Sequence, residues 1–138
     1  MPIRRALVCL FIFAAASLVL GQGRHAPSQH YNPATETTIS GVVQDVFHPS
    51  GNHGNVGTHF NLKTDTGVIE VHVGPQSFLT QQNFSLEQGS HVTVIGSKQT
   101  VAGKDAVIAR EIKSGDRVLT LRDANGIPKW SRGPAGNN

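Results

Sequence analysis

Cysteine is nearly missing from this chain: Cys9 is the only thiol in 138 residues. It lies inside an apolar N-terminal run, so the rest of the chain has no disulfide, no thiolate metal ligand and no covalently held haem. Aromatic residues are sparse, at 6% with a single Trp and a single Tyr. Single-strand nucleic-acid binders need aromatic platforms within a basic groove, and few are on offer. Catalytic signatures are missing too. The chain has no Gly-x-Ser-x-Gly and no His-Glu-x-x-His, and its acidic residues stand singly with no evident acid/base pair. Enzyme activity is therefore not expected. Gly51, Gly54 and Gly57 recur every third residue, which is neither the dinucleotide fingerprint nor a P-loop, so no phosphate cradle is expected either.

What is present begins with a leader. Arg4 and Arg5 precede an apolar run over residues 6–20, which is short for a membrane-spanning helix and suits a secretory signal. The expected organisation is a signal peptide over residues 1–21, a disordered leader over 22–36, one domain over 37–131 and a flexible tail over 132–138. An uncleaved anchor is the alternative for the first segment. With cleavage the protein is periplasmic or extracellular and keeps no membrane span. Removing Arg4 and Arg5 lowers the formal net charge from +3 to +1, which weakens any case for nucleic acid based on a basic pI. The remaining charge is uneven, with a net −3 over residues 22–97 and +4 over 98–138.

From Thr37 the texture is β. Residues 38–47 (TISGVVQDVF) are rich in β-branched side chains, with Gly41 in the interior marking a bulge or bend. Phe60 and Leu62 alternate with His59, Asn61 and Lys63, and Ile69, Val71 and Val73 alternate with Glu70 and His72 across the turn at Asp65-Thr66-Gly67. Core faces match in two registers: Lys63 opposite Val68, which sets His59 against His72, or Lys63 opposite Glu70. A short helix is expected within residues 76–84, with Phe78, Leu79 and Gln82 on one side. Further strands follow at 91–95, 106–112 and 117–122, the last with Val118 and either Leu119 or Leu121 facing inward. Short strands, regular turns and no βαβ rhythm predict an all-β fold. The reading is a small antiparallel OB-like barrel of five to six strands with one short helix between strands three and four, with a β-sandwich as second choice. Trp130, after Asp123-x-x-Gly126-x-Pro128, is expected to plug one barrel end.

The spaced residues Phe60-x-Leu62-x-Thr64-x-x-Gly67, Val71-x-Val73-Gly74-Pro75 and Leu86-x-x-Gly89-x-x-Val92-x-Val94-x-Gly96 resemble those of exported bacterial OB-fold domains. The ending Leu121-Arg122-Asp123-x-x-Gly126-x-Pro128-x-Trp130 is similar to the domain shared by the magnetosome proteins MamS and MamX and their relatives. The resemblance covers about residues 37–131 and implies an OB-like fold. Haem-carrying relatives bear Cys-x-x-Cys-His; this chain has no such motif, so electron transfer through haem does not carry over.

Histidine is the residue type that poses a question. His48, His53, His59 and His72, four of the chain's seven, fall within residues 47–75. Neutral imidazole suits zinc or copper, and a site needs three or four converging donors, to which Asp45 or Glu70 could add an oxygen. The expectation is an exported binding or accessory module, with His59, His72, His48 and His53 as candidate metal ligands and Asn61, Lys63 and Glu70 as candidate ligand contacts. Zinc or copper is the candidate cofactor, and a protein or envelope component the partner. The basic C-terminal third offers a second alternative, an anionic envelope component or an oligonucleotide.

Overall fold

Among the described residues, period-two alternation becomes six strands: β1 Glu36–Phe47, β2 Gly57–Thr64, β3 Gly67–Pro75, β4 His91–Val101, β5 Lys104–Ser114 and β6 Arg117–Thr120, with one α-helix, α1 Gln76–Gln81, between β3 and β4. The computed structural model describes residues 31–131. The expected signal peptide, most of the expected leader and the tail over 132–138 lie outside the described residues. Among those described, no helix is long and apolar enough to cross a membrane.

The sheet runs β3-β2-β1-β4-β5-β6, and a further β3–β5 pairing closes the first five strands into an OB-like barrel. All neighbours pair antiparallel except β3 and β5, which are parallel. The expected small OB-like barrel, with its helix between the third and fourth strands, is what forms, and its one parallel pair has a topological reason. In a ring with an odd number of strands, directions cannot alternate all the way round, so one pair must run parallel. β6 is an added strand on β5, outside the ring.

β1 serves two partners, pairing with β4 over its first half and β2 over its second. The strand has to bend between them. Gly41 sits at that point, where a Cβ would overlap the Lys63 carbonyl, and a bulge follows between Val43 and Asp45. Inside the ring, Val43, Phe60, Leu62, Val71, Val73, Val94, Val107 and Ile112 are almost wholly buried, each stabilising the fold by roughly 1.5–3 kcal/mol. Helix α1 closes one end with Phe78 and Leu79 buried, while Gln82, expected beside them, is exposed. Val118, expected to face inward, is turned to solvent at 55% exposure, whereas Leu119 and Leu121 are both buried. Leu121 reaches the core because its amide bonds the Arg110 carbonyl just past the end of β6.

Two terminal segments cover the outside of the barrel. Residues 31–36, expected within a disordered leader, pack on it. Tyr31 is buried, its hydroxyl donates to Glu36, and the Asn32 amide donates to Ser97 of β4 at 3.1 Å. No period marks this segment; single contacts hold it. Trp130 is half-buried against Phe78, with centroids 5.5 Å apart, and an ideal Cβ on Gly74 would lie 2.8 Å from its ring. The Arg122 guanidinium lies over the Trp130 and Tyr31 rings at 5.2 and 5.8 Å, so one buried cation joins both segments.

Candidate functional site

The β2–β3 hairpin adopts the register that pairs Lys63 with Val68, Asn61 with Glu70 and His59 with His72. Its inner face then matches Phe60 to Val71 and Leu62 to Ile69. The two-residue turn Asp65-Thr66 favours this register over the alternative, and the Thr64 hydroxyl donates to the Gly67 carbonyl at 2.8 Å across it. Lys63 and Glu70 are consequently not opposite each other.

On the outer face the register brings together three side chains. His59 Nδ1 lies 3.0 Å and His72 Nε2 2.9 Å from the same oxygen, Glu70 Oε1. The imidazoles stack with centroids 3.9 Å apart and planes inclined by 18°, and Phe47 meets His59 edge-on at 5.6 Å. With Glu70 ionised, each ring donates an N–H to it, as the Nδ1–H tautomer of His59 and the Nε2–H tautomer of His72. His72 is 6% exposed although its phase points outward, because β5 runs alongside β3 and sets Ile108 next to it. Burial pushes the His72 pKa down, the neighbouring His59 adds to that, and Glu70 opposes both. Among the described residues, His72 Nδ1 is buried with no hydrogen-bond partner.

One donor atom from each of His59, Glu70 and His72 lies within 4.8 Å of the others. Tetrahedral zinc with bonds of about 2.1 Å needs donors about 3.4 Å apart. Holding such an ion would require both rings to exchange their bond to the carboxylate for one to the ion. The other two histidines stay out of this group. His48 Nδ1 is 3.1 Å from the Gly57 carbonyl and 3.3 Å from the Thr58 hydroxyl. His53 is exposed on a short turn with a left-handed φ of 62°.

Beside the three lies an open groove of about 730 Å³, walled by Asn61, Glu70 and His72 on one side and by the β4–β5 turn, including Lys104 and Asp105, on the other. Lys63, a candidate contact, does not line it. Lys104 and Asp105 escaped sequence reasoning because only the closure of β3 against β5 carries them to the hairpin; nothing local signals it.

Four of the eight basic residues over 98–138 are engaged. Arg110 makes a two-pronged bond to Glu36 at 2.8 and 2.9 Å, Lys113 lies 3.6 Å from Glu111, Arg117 donates to the Asn83 carbonyl, and Arg122 is buried. Those side chains do not form a free cationic face.

Residues 35–119, which include the whole barrel and all three clustered side chains, match the MamS/MamX magnetosome protein family. The chain belongs to that family. It is 29% identical over 102 residues to magnetosome protein MamS of Paramagnetospirillum magneticum, covering 72% of this chain and 57% of the MamS chain. The chain thus spans little more than half the length of that relative. Tyr31, Arg122 and Trp130 lie outside the span that defines the MamS/MamX match. Among solved structures, the N-terminal domain of PriB from Thermoanaerobacter tencongensis is similar at 16% identity and a TM-score of 0.47, over 61% of this chain and 99% of that one. The mitochondrial single-stranded DNA binding protein Rim1 of S. cerevisiae is similar at 10% identity and a TM-score of 0.49, over 59% and 93%. At those identities and scores the likeness says nothing of what this chain binds.

Proposed function

We propose that this MamS/MamX family member is an exported, non-catalytic accessory module that takes up a transition-metal ion, zinc or copper, through His59, Glu70 and His72. The observation that carries the reading is the convergence of two imidazole nitrogens on one carboxylate oxygen, with all three donors within 4.8 Å. Two imidazoles and a carboxylate form a donor set that zinc sites use when they keep a position open. The outward phase of the hairpin offers His59, Asn61, Lys63, Glu70 and His72, with no Phe, Tyr or Trp on which bases could stack, which disfavours an oligonucleotide.

The same geometry supports an exchangeable ion over a permanent one. Binding through His72 Nε2 moves that ring's proton to Nδ1, which is buried without an acceptor among the described residues. An unmatched buried donor costs roughly 1–3 kcal/mol, and missing outer hydrogen bonds weaken metal sites about 10–100-fold. A dissociation constant on the order of micromolar follows, weaker than that of a closed four-ligand zinc site.

Calorimetric titration of the purified protein with zinc and with copper at neutral pH tests this. One equivalent should bind to the wild type, and Glu70→Gln and His59→Ala should each lose about 100-fold or more in affinity while keeping a cooperative melt. Absence of uptake by the wild type, or undiminished uptake by both variants, refutes the assignment.

A further inference from the structure

The metal assignment leaves the groove unexplained. Its volume of about 730 Å³ far exceeds the roughly 30 Å³ that a water occupies in the liquid and falls within the approximately 300–1,000 Å³ of small-molecule sites. Three protein donors leave a tetrahedral ion one vacant position. The inner side of the hairpin is filled by Phe60 and Val71, both 0% exposed, so that vacancy can open only outward, where Glu70 and His72 form one wall of the groove.

Charge then selects what enters. Without an ion, the groove holds the carboxylates of Glu70 and Asp105 against the single ammonium of Lys104, and it repels anions. A divalent ion reverses the sign. Asn61 on one wall and Lys104 on the other supply neutral and charged N–H donors.

We infer that the metal-loaded protein binds a small oxyanion, a phosphate or a carboxylate, with one oxygen on the ion and the others held by Lys104 and Asn61. This rests on the metal assignment above. The anion site exists only in the loaded form, so the ion and its anionic ligand are taken up in that order.

Cobalt(II) is the probe, because its visible absorption bands shift when the fourth ligand changes. The cobalt-loaded protein is titrated separately with inorganic phosphate and with acetate, and the metal-free protein with phosphate as control. A saturable spectral shift is expected with at least one anion, and no binding to the metal-free form. Lys104→Ala should weaken that anion about tenfold, the usual scale of a lost charge-assisted bond, and leave cobalt affinity within about twofold. Cobalt uptake with bands indifferent to both anions, or equal phosphate binding with and without metal, overturns the anion site while the metal assignment stands. No cobalt uptake overturns both.

Discussion

His59 and His72 face each other across the β2–β3 ladder with rings 3.9 Å apart, both directed at one oxygen of Glu70. They are unequal partners. The His59 side chain keeps 19% exposure, whereas that of His72 keeps 7% and is flanked by β5. Truncating a buried ring removes packing that the surroundings cannot replace, whereas truncating an exposed one mostly admits water.

The first prediction concerns stability without metal. His72→Ala is expected to cost about 2 kcal/mol, lowering the melting midpoint by about 10 °C in a domain of this size. His59→Ala should cost less than about 1 kcal/mol. Thermal melts followed by circular dichroism in the presence of a chelator read both values. Equal shifts would mean that β5 does not shield His72.

Gly74 and Trp130 yield the second prediction. A Cβ at residue 74 would sit 2.8 Å from Cη2 and 2.9 Å from Cζ3 of the Trp130 ring, too close for the indole to remain in place. Gly74→Ala should cost about 1–3 kcal/mol by overpacking. Trp130→Ala, removing a half-buried indole, should cost about 2–4 kcal/mol. Because one substitution clears the space the other needs, the double variant should be more stable than the sum of the two losses implies, by about 1 kcal/mol or more. Strict additivity in urea unfolding would show that the indole is not the obstacle.

Much of the barrel was legible because alternation is a local signal. Phe60, Leu62, Val71 and Val73 declare the inner face of the hairpin, and the helix between β3 and β4 falls where the period breaks at Gly74-Pro75. Register was less legible. Two hairpin alignments two residues apart preserve the same faces, and only the tightness of the turn separates them. The burial of His72 could not be read at all, because it depends on a parallel pairing with Ile108 far along the chain. Leu119 and Leu121 misled for a related reason: alternation in RVLTLR admits either phase, and the added strand β6 leaves Val118 facing water. Tyr31 lies in a stretch without any period, and a single hydroxyl, one cation and the gap at Gly126 hold it.

That tyrosine supports the third prediction. Burial pushes the Tyr31 phenol up to about 12, and its hydrogen bond to Glu36 adds to the rise against the opposing effect of Arg110. The folded value thus lies above the ordinary value of 10.0, so the unfolded chain releases this proton first as pH increases. Stability from this group is complete below about pH 10 and is lost as pH climbs from there towards 12. The chain has a single tyrosine, so phenolate absorption near 295 nm reports Tyr31 alone. The titration should show a midpoint well above that of the urea-unfolded chain. Glu36→Gln removes the carboxylate that accepts the phenol's proton and should bring the midpoint part of the way back, leaving the share due to burial. A midpoint equal to that of the unfolded chain would mean that residues 31–36 do not pack on the barrel in solution.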